Sequence, residues 1–215
     1  MLLKKLKWSI LSIGMIFSMI GCSNVSTSEE GTELDVKVEE ELEPEETDPL
    51  SGLHQVEIVV KDFGSIIVEL DADVAPITVT NFMKLVEEGF YDGLTFHRVI
   101  SGFMIQGGDP DGNGTGGSGT SITGEFSMNT IKNDISHTRG VISMARSANM
   151  NSASSQFFIM HQDATQLDGQ YAAFGHVTEG MEIVDQICEL TKVQDYNGTV
   201  DPVDQPIIEK ITIIE

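Results

Sequence analysis

The stretch Phe96-His-Arg-Val-Ile-Ser-Gly-Phe-Met-Ile-Gln-Gly-Gly-Asp109 is mostly apolar, and two polar side chains, Arg98 and Gln106, interrupt it. Arginine is seldom buried in an apolar strand. Side chains alternate between the two faces of a strand, so Arg98 shares a face with Phe96 and either points into solvent or lies over an apolar pocket. By the same rule Met104 and Gln106 share a face. The pattern alone leaves both positions of Arg98 open.

Short strand patterns surround this stretch. Two β-branched runs, Val56–Val60 and Ser65–Leu70, lie on either side of Lys61–Gly64 and predict a β-hairpin, so the domain is expected to begin near Leu53. Further short strands are predicted at six places, which are Thr95–Ile100, Met104–Gly107, Gly140–Met144, Gln156–Met160, Ala172–His176 and Ile211–Ile214.

Two helices interrupt the series of strands. Between Ala75 and Gly89 apolar residues recur at helical spacing, and Pro76 and Gly89 stand where helices typically begin and end. A second helix is predicted over residues 180–190, where the apolar positions include Cys188. This placement favours a buried structural thiol over a reactive one.

The number and order of these elements indicate the fold class. Short strands without regular helical crossovers favour an antiparallel sheet, and eight strands are enough to close a barrel filled by its own side chains. The sequence therefore predicts a mainly β fold over residues 53–215, a closed eight-stranded antiparallel β-barrel capped by two α-helices. A hydrophobic fraction of 40% suits one globular domain with a tail.

The N-terminus has the pattern of an export signal. Lys4, Lys5 and Lys7 precede an apolar run over residues 8–20, which is shorter than the roughly 20 residues that a membrane-spanning helix needs. The run ends just before Cys22, and this arrangement resembles the bacterial lipoprotein signal, in which a peptidase cuts before a lipidated cysteine. We therefore expect residues 1–21 to be removed, and Cys22 to anchor the protein to the outer face of the bacterial cell membrane. A plain signal peptide or a short uncleaved anchor is the alternative.

An acidic stretch follows the cysteine. Eleven acidic residues and one basic residue, Lys37, lie between Glu29 and Asp48. Such blocks bury too little apolar surface to fold, so residues 22–52 are predicted to be a disordered spacer behind the lipid. The formal net charge of −22, with no basic cluster outside the N-terminus, argues against nucleic acid as a partner.

Several motifs resemble sites with other chemistry, but the surrounding sequence lacks features that those sites require. Gly112–Gly117 fits G-x-G-x-x-G but opens no predicted helix, so a dinucleotide site is rejected. The loop from Asp109 fits the first positions of a calcium loop, yet Thr120 occupies the bidentate position, and a structural loop is preferred. The five histidines and two cysteines lack metal-ligand spacing, and no G-x-S-x-G elbow occurs. No metal or other cofactor is expected.

The stretch Phe96–Asp109 closely resembles the signature of cyclophilins, the family of peptidyl-prolyl cis/trans isomerases. The remaining family motifs follow in order as Gly114–Gly117, Gly124–Phe126, Gly140–Ala145, Ser155–Phe158, Leu167–Gly169 and Ala173–Gly175. The resemblance runs from about Val56 to Glu215 and is greatest to short bacterial cyclophilins. It implies an isomerase that speeds X-Pro bond rotation. Together with the export signal, this makes exported, folding proteins the expected substrates, and the protein is expected to act as a monomer.

The resemblance also implies the roles of individual residues. Arg98 would be the catalytic residue, and Gln106 would bind the substrate backbone. The other expected substrate-binding residues line the proline pocket or border the adjoining groove, and they are Phe103, Met104, Ala145, Gln156, Phe158, Leu167 and Tyr171. We expect the chain to bend at Gly102, so that Phe103 reaches the pocket.

Two positions depart from the pattern of many eukaryotic cyclophilins. Gln166 stands where those proteins have Trp, so the resemblance does not extend to tight cyclosporin binding. Tyr171 stands where they have His, which is expected to alter the preference for the residue before proline. A second hypothesis from the sequence is a binding module or chaperone that uses the proline pocket without catalysis. The presence of Arg98 favours the enzyme, because a scaffold has no need of an arginine in the site.

Overall fold

The computed structural model describes residues 48–214. The predicted signal peptide, Cys22 and the predicted spacer up to residue 47 lie outside this part of the chain. Within residues 48–214, no helix combines the length and the apolar character that crossing a bilayer requires.

Each predicted strand overlaps one strand of the structure. The strands are β1 (Leu53–Val60), β2 (Gly64–Asp71), β3 (Thr95–Ile100), β4 (Met104–Asp109), β5 (Val141–Met144), β6 (Phe157–Met160), β7 (Ala173–Glu179) and β8 (Ile208–Ile214). They form one antiparallel sheet in the order β3-β4-β6-β5-β7-β2-β1-β8. The predicted hairpin is β1–β2, in which Val56 pairs with Val68.

The predicted closed barrel is wrong, because the curled sheet is open and forms a half-barrel with β3 and β8 at its edges. These two strands are joined only near one end, where Thr95 and Ile207 form an isolated bridge. Farther along β3, the segment Gly198–Val200 occupies the edge instead, since the Val99 amide donates to the Gly198 carbonyl at 2.8 Å. Backbone pairing between β3 and β8 therefore cannot continue along the two strands, and the sheet does not close into a barrel.

Both predicted helices are present, as α1 (Pro76–Glu87) and α2 (Met181–Leu190). Proline fits the first turn of α1 because the amide that it lacks would have no partner within the helix. Cys188 lies on the buried face of α2 and is a free thiol, and burial raises its pKa to about 12. The prediction of a buried thiol is confirmed.

The strands bury apolar side chains on both faces of the sheet. The larger core packs under α1, where the ring of Phe82 lies 5.5 Å from that of Phe157 in an edge-to-face contact. A smaller cluster on the other side includes Met104 and Phe158. Alternation along β4 and β6 produces this division, because neighbouring residues point to opposite faces. The smaller cluster forms the floor of the site described next.

Candidate active site

The register of the sheet places the first residues of the site side by side. Arg98 on β3 pairs with Gln106 on β4, and Gln106 pairs with Phe158 on β6. Phe158 in turn pairs with Ser143 on β5. Residues that pair directly across antiparallel strands project from the same face. The arginine, the amide and the aromatic ring therefore form one row across three strands.

A chain of hydrogen bonds connects the polar members of the site. Arg98 Nη1 donates to Gln106 Oε1 at 3.2 Å. Gln106 Nε2 donates to Gln156 Oε1 at 2.9 Å, and Gln156 Nε2 donates to the Gly116 carbonyl at 2.8 Å. Arg98 can only donate, so the Gln106 oxygen must accept from it and the Gln106 amino group donates onward. The same rule then orients Gln156, so the guanidinium sets the direction of all three hydrogen bonds.

The loop between α2 and β8 holds the other side of Arg98. Its Nε donates to the Asn197 carbonyl at 2.8 Å, so two acceptors on different sides fix the plane of the guanidinium. Burial lowers the pKa of Arg98, and the negative charge of Asp195 partly opposes that effect. Arginine begins so far above neutrality that the side chain stays protonated at ordinary pH.

Arg98 and Gln106 form the edge of a cavity of about 240 Å³. Apolar and aromatic side chains make up most of its remaining wall, namely Phe103, Met104, Ala145, Phe158, Leu167 and Tyr171. Gln156 lies in an adjoining polar groove of about 200 Å³, which shares Gln106 and Ala145 with the cavity. The structure thus brings together all nine side chains that the sequence assigned to the site.

The β3–β4 turn brings Phe103 into the cavity wall. Gly102 has φ of 80°, a conformation that favours glycine, which confirms the expected bend. His161 stabilises this turn, because its Nδ1 accepts the Gly102 amide at 2.8 Å and its own amide donates to the Phe103 carbonyl at 2.9 Å.

The sequence did not reveal two further contributors to the site. Arg146 lines both the cavity and the groove. His137 lies behind the cavity wall, where its ring stacks on Phe158 with centroids 6.0 Å apart. The His137 ring nitrogens lie 2.9 Å from Asp168 Oδ1 and 3.1 Å from Ser143 Oγ. No spacing in the sequence marks either residue, since most of their partners come from segments that are distant in sequence.

The loop that resembles a calcium site is held by its own backbone. Both oxygens of Asp109 accept backbone amides, from Asp111 at 2.9 Å and from Asn113 at 3.1 Å among others. Among residues 48–214 no group of three acidic, histidine or cysteine side chains is arranged to hold a metal ion. The Asp109 carboxylate therefore acts within the loop as an acceptor that fixes its shape.

Comparison with known proteins identifies the chain as an isomerase of known class. A family model described as "Cyclophilin type peptidyl-prolyl cis-trans isomerase/CLD" matches residues 55–213. The chain belongs to the cyclophilin-type peptidyl-prolyl cis/trans isomerase family, and the prediction of an enzyme is confirmed.

Individual relatives agree with this assignment. Peptidyl-prolyl cis-trans isomerase B of Bacillus subtilis is 49% identical over 124 residues, which cover 58% of this chain and 83% of the relative. A crystal structure of a cyclophilin type isomerase from Cryptosporidium parvum superposes with a TM-score of 0.67 at 32% identity, covering 76% of this chain and 99% of that one. Another crystal structure of that protein, in the presence of the dipeptide Ala-Pro, has a TM-score of 0.66 at 32% identity, covering 75% of this chain and 99% of that one.

Proposed function

We propose that this isomerase accelerates X-Pro bond rotation in exported polypeptides as they fold, acting as a monomer on the outer face of a bacterial membrane. The observation that carries the proposal is the guanidinium of Arg98, fixed by Asn197 and Gln106 at the edge of an apolar cavity. The Ala-Pro dipeptide used with the related parasite cyclophilin supports proline peptides as the substrate class.

The barrier to be lowered comes from the partial double bond of the peptide C–N bond and is about 18–20 kcal/mol. A 10⁵-fold acceleration requires about 7 kcal/mol of transition-state stabilisation. In the twisted transition state the prolyl nitrogen recovers its lone pair and becomes a hydrogen-bond acceptor. A donor aimed at that nitrogen stabilises the transition state but not the planar ground state, and this difference is what catalysis requires.

Arg98 is suited to be that donor. Its Nε and Nη1 are engaged by Asn197 and Gln106, and within residues 48–214 its Nη2 has no hydrogen-bond partner. Because the guanidinium is already held in place, little conformational entropy is lost when it donates to the substrate.

The other site residues have separate roles in this proposal. The apolar wall formed by Phe103, Met104, Phe158 and Leu167 holds the proline ring, with Tyr171 at the rim. Gln106 holds a substrate backbone carbonyl, while Ala145 and Gln156 border the groove through which the rest of the peptide runs. One side of the X-Pro bond is then fixed and the other is free to rotate.

The replacement Arg98→Ala tests the assignment. We expect kcat/KM for cis/trans isomerisation of an Ala-Pro peptide to fall at least about 100-fold, or about 2.7 kcal/mol, because the donor to the prolyl nitrogen is lost. The melting temperature is expected to change little, since Arg98 is only half-buried. Lys84→Ala, which removes a cation from the exposed surface of α1, is the control and should isomerise at the wild-type rate. A near-wild-type rate for Arg98→Ala would refute the proposed role.

The location of the enzyme rests on its N-terminal sequence. Three lysines, an apolar run and Cys22 support export and lipidation, and the acidic stretch that follows supports a solvated tether. A single acyl chain binds membranes only marginally, so two or three chains on Cys22 are proposed.

A further inference from the structure

The charge around the site is opposite to that of the protein as a whole. The chain has 34 acidic residues against 12 lysines and arginines. Within residues 48–214, the side chains that line the cavity and the groove nevertheless include no acidic residue, and their only charged members are Arg98 and Arg146. A peptide that enters the site therefore meets two positive charges on a protein whose net charge is strongly negative.

Arg146 is held as firmly as Arg98. Its guanidinium lies between two aromatic rings, 5.0 Å from the centroid of Phe126 and 4.8 Å from that of Tyr171. Its Nε and Nη2 donate to the Gln170 carbonyl at 2.9 and 2.8 Å, and its Nη1 donates to the Ser147 carbonyl at 2.9 Å. These contacts fix the cation before any substrate arrives.

The fixed guanidinium retains capacity to bind an anion. An arginine side chain has five N–H groups, and the hydrogen bonds within residues 48–214 use three of those of Arg146. No carboxylate in this part of the chain lies within ion-pairing distance of it. By contrast, Arg139 on the protein surface is paired with Asp185 at 2.8 Å.

We propose that Arg146 is a specificity-determining residue that selects substrates with a glutamate or aspartate close to the isomerised proline. This inference rests on the proposed function and specifies its substrate class. Arg146 lines both the cavity for the proline ring and the polar groove beside it, so a side chain one to three residues from the proline comes within its reach. The carboxylate pairs with the open edge of the guanidinium, and planar pairing of this kind is a favourable geometry for arginine.

Peptides that differ only by glutamate or glutamine test the inference. The residue is placed in turn at each position from three before to two after a single proline, and kcat/KM is measured for every pair with the purified protein. We expect the glutamate peptide to be favoured about threefold to fivefold at one position or more, the size typical of a partly exposed ion pair. The preference should shrink as salt is raised from about 20 mM to 500 mM.

Variants separate recognition of the anion from a structural role. Arg146→Gln should abolish the glutamate preference, Arg146→Lys should keep part of it, and Lys84→Gln, a matched loss of surface charge, should keep all of it. If Arg146 only holds Tyr171 in place, Arg146→Gln will slow both peptides of a pair equally and leave their ratio unchanged, and the inference is then wrong. Equal wild-type rates for every pair would also overturn it, whereas failure to isomerise any peptide would contradict the proposed function itself.

Discussion

His97 stands next to the proposed catalytic arginine and has a different kind of environment. Its side chain is buried, and neither ring nitrogen has a hydrogen-bond partner among the described residues. Burial lowers the pKa of His97, and the charge of Asp109 only partly opposes this. The ring is therefore buried in its neutral form.

The lowered pKa links His97 to acid stability. Between its folded pKa and the ordinary value near 6.5, the unfolded chain binds a proton that the folded chain does not. The free energy of unfolding is therefore at its full value above about pH 6.5 and falls as the pH drops below it, by up to about 1.4 kcal/mol per pH unit for each such group. Burial also lowers the pKa of His137, so two histidines contribute in wild type.

Replacing His97 by leucine should remove one of these contributions. We expect His97→Leu to lose less stability than wild type between pH 7.5 and pH 5, as measured by urea unfolding at the two pH values. At pH 7.5 it should be about as stable as wild type, because the unpartnered nitrogens are replaced by apolar atoms. His176→Gln, at an exposed histidine, should retain the wild-type pH dependence. An unchanged pH dependence in His97→Leu would contradict this explanation.

At the scale of elements, the loop Asp195–Thr199 determines where Arg98 points. The Asp195 carboxylate accepts the amides of Asn197 at 2.9 Å and of Thr199 at 3.1 Å, which fixes the turn. Gly198 has φ of 79°, and a Cβ there would collide with the Val99 carbonyl on β3. The close approach permitted by this glycine presents the Asn197 carbonyl to Arg98.

Gly198→Ala should therefore reduce activity by moving a loop that is not part of the cavity wall. We expect kcat/KM to fall about tenfold, because Arg98 loses one acceptor that orients it, and stability to fall by about 1–3 kcal/mol. Gly93→Ala is the matched control, since Gly93 also has positive φ, 81°, but no atom of residues 48–214 lies within 4 Å of a Cβ built there. It should lose stability only. Equal activity of the folded fractions of both variants would show that the loop does not position Arg98.

The N-terminus of α1 depends on a side chain that is distant in sequence. No side chain near Ala75 caps the helix. Instead the buried Glu125 accepts the Ile77 amide at 3.0 Å, and the Thr78 amide and hydroxyl at 2.8 and 2.6 Å. A carboxylate at this end also interacts favourably with the helix dipole. The motif Gly124–Phe126 thus connects α1 to the loops around the site.

Glu125→Ala should be strongly destabilising without a direct effect on catalysis. It leaves three donors near the start of α1 without an acceptor, so we expect a loss of about 3 kcal/mol in the free energy of unfolding. Glu87→Ala, at an exposed position of the same helix, should change stability by less than about 0.5 kcal/mol. Urea unfolding measures both, and kcat/KM per folded molecule should remain at the wild-type value. A loss below about 1 kcal/mol for Glu125→Ala would mean that water replaces the carboxylate.

These elements also show what the sequence could and could not predict. Strand and helix positions follow from local periodicity, which is why α1 and β3 were predicted nearly to the residue. The opening of the sheet was not predictable, because it depends on Gly198–Val200 occupying the edge of β3, a contact between segments about 100 residues apart. Resemblance to the family predicted the nine site residues, whereas Arg146 was missed because its aromatic neighbours Phe126 and Tyr171 are distant in sequence.

At the scale of the whole molecule, we propose that the described residues carry out catalysis and that the N-terminal sequence determines the location of the protein. We propose that the stretch of about 30 residues after Cys22 acts as a tether, since a flexible chain of that length reaches about 30 Å end to end and like charges extend it further. An acidic stretch repels anionic headgroups, so in this proposal the lipid on Cys22 is what holds the protein at the membrane.

Cys22→Ser tests this division of roles, and Cys188→Ser is its matched control. Without the Cys22 thiol no acyl chain can be attached, so the protein should move from the membrane fraction to the soluble fraction, with unchanged kcat/KM. Cys188 is buried in α2, so Cys188→Ser should stay in the membrane fraction even if it is somewhat less stable. Fractionation followed by isomerase assay of each fraction measures both effects. If Cys22→Ser remains with the membrane, the apolar run of residues 8–20 is itself the anchor and the signal is not cleaved. Isomerase activity that disappeared with the anchor would instead mean that the N-terminal segment contributes to the site.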